Sequence, residues 1–313
     1  MFRRNQSRFG ARVKIGFAAT VAALVALSPV GCASDDDSPP SPGPGGSAET
    51  SQNGRYESVN GLSMYYETYG TGRPLVLLHG GFCTIDVCLG KVIPILARTH
   101  QVIAIEQQGH GHTGDIDRPF TYEQMAQDTT ALLERIGIDK ADFFGFSLGA
   151  NIALRIAMRH PNLVDHVVAL APVAYDNVDP SLPTIWEQMS PEQVPSVFQD
   201  GYAKTAPDPK RWPAVVAKMK TLLLEFKGWS EGDIRSIQAP TLLMIGDRDL
   251  VLPEPAAKTV RLLPHGQLSV LPGSDHSAIL VNPEAVVASS VRFLESRLEA
   301  HLEAHLERRV ESR

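Results

Sequence analysis

The sequence contains six short runs in which almost every residue is apolar, separated by longer stretches with the periodicity of amphipathic helices. A strand can be apolar along its whole length only when both faces of its sheet are covered, as in parallel sheets flanked by helices. These runs occupy residues 74–79, 101–106, 142–146, 164–170, 241–246 and 267–271. The pattern predicts an α/β fold with a mostly parallel central sheet, in which all six of these strands are buried.

Two further strands are expected before these runs, because Asn60-Gly61 separates two β-rich segments and is typical of a hairpin turn. Between the sixth and the seventh strand lie about 70 residues with no strand pattern. A structureless connection of that length is improbable inside a compact domain. The helix formers and bulky apolar side chains of residues 173–238 therefore predict a helical lid, inserted between the sixth and seventh strands.

The N-terminus predicts an export signal. Residues 1–31 carry five basic residues and no acid, and they include an apolar run at 15–27. A helix of that length rises about 20 Å, short of the roughly 30 Å of a bilayer core, so we expect a signal peptide. The ending Val30-Gly31-Cys32 resembles a bacterial lipobox, in which Cys32 would be lipidated and become the mature N-terminus. The alternative is an ordinary signal segment in which Cys32 is lost or inert.

Residues 32–53 follow as a segment dense in Ser, Pro, Gly and Asp, with almost nothing to bury. Such a segment cannot repay its ordering entropy, and it is predicted to be a disordered tether. Residues 54–313 would then form the folded domain with its lid. The expected location is the cell envelope, reached by export and held by a lipid anchor on a membrane; without the lipid, the protein would be periplasmic or secreted.

The charge distribution bears on partners. The net charge is −6, but the first 31 residues contribute five positive charges, so the rest of the chain carries −11. An acidic body argues against nucleic acid as a partner and weakly favours neutral over anionic substrates. The sequence leaves the oligomeric state open.

The two remaining cysteines, Cys83 and Cys88, lie in one loop-to-helix segment. At this spacing two buried free thiols are the commoner outcome, although export to an oxidising compartment makes a local disulfide an alternative. A metal site is not expected there, because two cysteines without a supporting histidine are too few ligands. His301 and His305, in the C-terminal tail, are interpreted as part of a solvated helix end.

The chemistry is concentrated at Gly145-Phe146-Ser147-Leu148-Gly149, which follows an apolar run and opens a helix. This G-x-S-x-G pattern is typical of a nucleophile elbow, where a tight turn holds the serine hydroxyl out at the end of the strand. A neutral serine needs a histidine base, and the base needs an orienting acid. Downstream, Asp247 and Asp249 follow the seventh strand and His276 follows the eighth, so all these groups lie at carboxyl ends of strands.

With these residues in view, the chain from 54 to 298 resembles the α/β-hydrolase family. The family's turn after the third strand matches residues 79–82, and its fourth-strand loop matches residues 109–112. The resemblance implies Ser147 as nucleophile and His276 as base. It favours Asp249 over Asp247 as the acid, because the family's acid loop has a glycine three residues before the aspartate and a proline four residues after it.

The same resemblance implies an oxyanion hole formed by the backbone N–H of Leu148 and that of Gly81 or Phe82. The expected function is hydrolysis of carboxylic esters or lactones of hydrophobic, uncharged small molecules through an acyl-enzyme, with no metal and no cofactor. Carbon–carbon bond hydrolysis and peracid formation use the same triad and stay open. So does a receptor that turns its ligand over slowly or not at all.

Overall fold

The computed structural model describes residues 53–295. The signal segment, Cys32, most of the tether and the tail histidines lie outside this range. The described chain contains eight strands: β1 Gly54–Val59, β2 Leu62–Tyr69, β3 Arg73–Leu78, β4 His100–Ile105, β5 Ala141–Phe146, β6 Val164–Leu170, β7 Thr241–Gly246 and β8 Gly266–Leu271. Asn60-Gly61 forms the hairpin turn between β1 and β2, with positive φ at both residues.

The strands form one sheet in the order β1-β2-β4-β3-β5-β6-β7-β8. β1 pairs antiparallel with β2, and β2 pairs antiparallel with β4, whereas all later pairs are parallel. β3 lies between β4 and β5, with Leu75 opposite both Val102 and Asp142. The predicted mostly parallel sheet is confirmed, and its parallel strands all deliver their carboxyl ends to one edge.

The helices of the described chain are α1 Ile93–Leu96, α2 Tyr122–Arg135, α3 Leu148–Arg159, α4 Leu182–Glu187, α5 Ser196–Thr205, α6 Trp212–Glu225, α7 Glu231–Ser236, α8 Pro253–Leu262, α9 Ala278–Val281 and α10 at 283–295. α3 packs against β3, β5 and β6 and against α2, while α8 packs against β7 and β8. No helix within residues 53–295 has the length and apolarity needed to span a membrane.

Helices α4 to α7 lie between β6 and β7, as the sequence predicted for the lid. The prediction for the eighth strand was wrong in one respect. Leu268 and Val270 are exposed, because β8 is the edge strand and part of it is not covered by a helix. The core is centred instead on the inner strands, where Phe143 and Phe144 of β5 have no exposed surface.

Candidate active site

Ser147 lies on the tight turn between β5 and α3. Its φ of 51° falls in the left-handed region that residues other than glycine rarely adopt. The flanking glycines make the turn possible: a Cβ on Gly145 would lie 2.2 Å from the Gly149 carbonyl oxygen, and one on Gly149 would lie 2.2 Å from the Leu78 oxygen. The spacing of the motif therefore follows from close approach of the backbone on both sides of the serine.

The structure brings Ser147, His276 and Asp249 together in a line of hydrogen bonds. His276 Nε2 lies 3.1 Å from the Ser147 hydroxyl oxygen, and His276 Nδ1 lies 2.8 Å from Asp249 Oδ1. Asp249 also accepts from the backbone N–H of Gly246 and of Val251, both at 3.2 Å. All of these groups are contributed by strand ends and loops at the carboxyl edge of the sheet.

Asp247, the alternative acid, is placed elsewhere. Its carboxylate accepts a hydrogen bond from the backbone N–H of Ser274 at 3.1 Å, which joins the loop after β7 to the loop after β8. Asp247 therefore braces the loop that carries the histidine, while Asp249 contacts the histidine itself.

The protonation states follow from the contacts of Asp249, whose side chain is only 1% exposed. Burial raises the pKa of Asp249, but the electrostatic interaction with His276 and the hydrogen bonds from His276, Val251 and Gly246 outweigh it and lower the pKa below its usual value. An ionised carboxylate only accepts, so the histidine proton lies on Nδ1. The lone pair on Nε2 then accepts from the Ser147 hydroxyl.

A turn at residues 80–83, named here the oxyanion turn after its expected role, borders the same cavity as Ser147. Its carbonyl at Gly80 accepts from Cys83 N–H at 3.3 Å, so Gly81 and Phe82 are the central residues, and Phe82 has a φ of 65°. Neither central N–H is used by this turn, and the N–H of Leu148, the first residue of α3, has no acceptor in a preceding helical turn. Gly81, Phe82 and Leu148 line the same cavity as Ser147.

Three hydrogen bonds hold the oxyanion turn beside Ser147. Gly149 N–H donates to the His79 carbonyl at 3.0 Å, which joins α3 to the end of β3. The fully buried His79 side chain donates from Nδ1 to the Gly80 carbonyl at 2.7 Å and accepts from Gln107 N–H at 3.1 Å. Burial, aided by His110, lowers the pKa of His79 to about 4, so this histidine is neutral and serves as a bridge in the backbone network.

Glu106 is a structural residue that sequence reasoning missed. Its buried carboxylate accepts from Ile85 N–H at 3.0 Å, from His112 N–H at 2.5 Å and from His112 Nδ1 at 2.9 Å. The hydrogen bond to Glu106 raises the pKa of His112. The signal available was an acidic residue closing the apolar run at 101–106, a position where an unpaired charge would be costly.

The expectation of free thiols was wrong, because Cys83 and Cys88 form a disulfide. Residues Ile85–Leu89 make a single wide helical turn, which brings the two Cα atoms to 5.8 Å, within the range that a disulfide spans. The bridge begins at the last residue of the oxyanion turn. The disulfide therefore links the helical turn at residues 85–89 to the candidate site.

A cavity of about 410 Å³ opens above Ser147 and His276, between the sheet edge and the lid. Its wall is mostly apolar and includes aromatic and methionine side chains: Phe82, Tyr122, Trp186, Phe198, Met189 and Met219. Among the described residues that line it, none is Lys, Arg, Asp or Glu. Within residues 53–295 there is also no cluster of His, Cys, Asp and Glu suited to a metal ion. The site therefore places a serine hydroxyl, an imidazole and backbone N–H groups beside an apolar space.

Comparisons with known proteins agree with this architecture. Residues 75–289 match the model of the alpha/beta hydrolase family. A non-heme haloperoxidase of Rhodococcus erythropolis is 25% identical over 283 residues, covering 76% of this chain and 97% of the relative. The 2-hydroxy-6-oxo-6-(2'-aminophenyl)hexa-2,4-dienoic acid hydrolase of Metapseudomonas resinovorans is 26% identical over 264 residues, covering 78% and 91%.

Among solved structures, a meta-cleavage product hydrolase from Pseudomonas fluorescens IP01 superposes with a TM-score of 0.68 at 20% identity. The alignment covers 78% of this chain and 98% of that chain, and at this identity it speaks for the fold alone. The names of these similar proteins describe different reactions.

Proposed function

The chain belongs to the alpha/beta hydrolase family, and on that premise we propose that it is a serine hydrolase for carboxylic esters or lactones of hydrophobic, uncharged molecules. One observation carries the proposal: the hydrogen-bonded line from Ser147 through His276 to Asp249 ends in an apolar cavity. Each of the three side chains then has a distinct role, as nucleophile, general base and orienting anion.

In the first half of the reaction, His276 Nε2 accepts the Ser147 proton while the serine oxygen attacks the ester carbonyl carbon. The negative charge that develops on the carbonyl oxygen is stabilised by the N–H of Leu148 and by that of Phe82 or Gly81. The bond to the alcohol oxygen breaks, and His276 returns its proton to the departing alcohol. Throughout this step Asp249 stabilises the imidazolium.

In the second half, His276 takes a proton from water, whose oxygen attacks the acyl carbon on Ser147. The second tetrahedral intermediate collapses, the serine oxygen regains a proton from His276, and the carboxylic acid is released. These steps use only the side chains and amides described above.

The cavity wall supports a neutral substrate. Transfer of a carboxylate out of water is costly unless a cation or several donors receive it, and the described wall offers no cationic side chain. The dienoic acid named for the relative from Metapseudomonas resinovorans carries such a carboxylate. For this reason we place ester and lactone hydrolysis ahead of carbon–carbon bond hydrolysis of acids.

We also propose that the protein acts outside the cytoplasm, anchored by lipid on Cys32. The disulfide between Cys83 and Cys88 supports an oxidising compartment. Mass spectrometry of the mature N-terminus tests the anchor: an acylated Cys32 supports it, and an N-terminus without lipid on Cys32 contradicts it.

The function is tested on the full-length chain in mild detergent, with a fluorophosphonate probe followed by nitrophenyl esters of increasing acyl length and a lactone series. We expect labelling at Ser147 and turnover that favours acyl chains long enough to contact the aromatic wall. Ser147→Ala should lose labelling and lower kcat by about 10⁵-fold while substrate binding survives. Ser236→Ala, a surface serine of α7, is the matched control and should keep wild-type rates.

The alternatives give different results. Strong labelling with negligible turnover of every ester and lactone would favour the slow receptor, and turnover confined to acidic diketones would favour carbon–carbon hydrolysis. Unchanged ester hydrolysis by Ser147→Ala would contradict the proposed mechanism.

A further inference from the structure

Asp115 lies in the loop between β4 and α2, outside the triad, and its side chain has no exposed surface. Its carboxylate accepts from Lys218 Nζ at 2.7 and 3.0 Å, from an Arg211 guanidinium nitrogen at 2.6 Å and from Gln108 Nε2 at 2.9 Å. Lys218 also donates to the Ile116 carbonyl at 2.7 Å. We call Asp115, Arg211 and Lys218 the lid clamp.

The clamp joins the two parts of the molecule. Asp115 belongs to the sheet domain, whereas Arg211 directly precedes α6 and Lys218 lies in its second turn, so both cations belong to the lid. Burial raises the pKa of Asp115, but the hydrogen bonds from Lys218, Gln108 and Arg211 outweigh it and lower the pKa below its usual value. A buried charge that loses its partner is costly. The clamp therefore strongly favours one position of α6 relative to the sheet domain.

The residues next to the two cations contact the oxyanion turn. Trp212, adjacent to Arg211, packs edge-on against Phe82 with ring centroids 5.8 Å apart. Met219, adjacent to Lys218, places its Cε 2.6 Å from where a Cβ on Gly81 would be. The two central residues of the turn are therefore each covered by a side chain of α6, from the residue that directly follows each clamp cation.

We propose that Asp115 is a positioning residue, which acts through α6 to hold the oxyanion turn in place for the reaction at Ser147. The catalytic part of this inference rests on the proposed function, whereas the mechanical part does not. The clamp thus does more than attach the lid. It fixes the distance between α6 and the N–H groups of Gly81 and Phe82.

A second attachment of the lid provides the matched control. Trp229, near the C-terminal end of the lid, donates from Nε1 to Asn151 Oδ1 at 3.0 Å and packs against Phe226 and Tyr122. None of these contacts involves the oxyanion turn. Trp229→Phe therefore removes one hydrogen bond between lid and sheet domain, and Lys210→Met removes one exposed positive charge beside Arg211 without touching Asp115.

The mechanical test is hydrogen–deuterium exchange of the full-length chain in wild type, Asp115→Asn and the two controls. In Asp115→Asn we expect amide exchange to accelerate at least tenfold in both α6 and residues 79–83. Neither Lys210→Met nor Trp229→Phe should change exchange in residues 79–83. Acceleration confined to α6, or equal acceleration in Trp229→Phe, would overturn the proposal, because the clamp would then be a general stabiliser.

The catalytic test measures the labelling rate of Ser147 by a fluorophosphonate and the kcat and KM for a short and a long acyl ester. Asp115→Asn should lower the labelling rate and kcat at least tenfold for both esters, while the KM of the short ester changes less than threefold. A lower melting temperature with unchanged kcat in the folded fraction would overturn the positioning role.

If Asp115→Asn does not fold, Arg211→Gln replaces it, because the half-exposed Arg211 side chain can be changed with a smaller loss of stability. The changes in amide exchange and in kcat are then expected in the same direction and smaller. A wild-type chain that neither labels nor hydrolyses any ester would contradict the proposed function. In that case the hydrogen–deuterium exchange data alone test whether the clamp holds the oxyanion turn in place.

Discussion

Two buried histidine–aspartate pairs lie at opposite ends of the parallel strands. At the carboxyl edge, His276 Nδ1 is 2.8 Å from Asp249; at the amino ends of β5 and β6, His166 Nδ1 is 2.7 Å from Asp142. The two pairs have nearly equal geometry, and neither aspartate side chain is more than 1% exposed. Strand β5 links them, because it begins near Asp142 and ends just before Ser147.

The difference lies on the far side of each imidazole. His276 Nε2 faces the Ser147 hydroxyl inside an apolar cavity, whereas His166 Nε2 has no hydrogen-bond partner among the described residues and its ring packs edge-on against Phe293. Arg73 also lies 2.9 Å from Asp142, which balances the carboxylate charge. An aspartate–histidine pair is therefore not a sign of catalysis in itself; under the proposed function, only the pair whose second nitrogen meets a hydroxyl in an accessible cavity is catalytic.

The largest expected effect separates the two histidines. His276→Ala should lower kcat by about 10⁵-fold, because the serine loses its base, while the oxyanion donors retain a small residual rate. His166→Ala should leave kcat within threefold of wild type and lower the melting temperature. Steady-state kinetics and thermal unfolding of both variants measure this. A large loss of kcat in folded His166→Ala would break the distinction between the two pairs.

A somewhat smaller effect separates the two aspartates. Asp249→Asn should lower kcat by about 10⁴-fold, because the amide no longer holds the histidine proton on Nδ1. Asp142→Asn should instead lower the free energy of unfolding by about 2 kcal/mol, since Arg73 and His166 lose a charged acceptor. Urea unfolding and kinetics on the same samples check both values. Equal kinetic effects from the two substitutions would contradict the assigned roles.

The smallest effect concerns pH. Burial lowers the pKa of His79 and of His110 to about 4, so in the folded protein both stay neutral at the carboxyl edge. The unfolded chain binds their protons below about pH 6.5, so stability should fall as pH drops from about 6.5 to 4. His110→Phe should make this fall shallower, although its stability at pH 7 is also lower. Urea midpoints at pH 4.5, 5.5 and 6.5 measure the slope, and equal slopes in variant and wild type would contradict the assignment.

Much of this site could be predicted from the sequence alone. Gly145 and Gly149 marked Ser147 because a strand-to-helix turn this tight excludes side chains on both sides, and that constraint is local in sequence. His276 could be selected as a candidate base because it follows the last strand, and catalytic groups gather at the carboxyl ends of parallel strands. Family likeness favoured Asp249 over Asp247, and the contacts of the structure place Asp249 beside the histidine.

Other features depended on long-range contacts. The exposure of Leu268 and Val270 follows from the edge position of β8, which the strand's own residues do not encode. The disulfide required the helical turn after Cys83, and the partners of Asp115 lie about a hundred positions away in the lid. The residues adjacent to these positions in sequence form no pattern that predicts such contacts.

By itself, then, the sequence determined the order of strands and helices, the lid insertion and the strained serine turn, because periodicity and close backbone approach are properties of neighbouring residues. Only the tertiary structure showed that a second histidine–aspartate pair lies at the opposite end of the strands, that Cys83 is joined to Cys88 and that Asp115 is the carboxylate that holds the lid. Those outcomes depend on distances between segments far apart in the chain, and such distances are set when the sheet and the lid pack together.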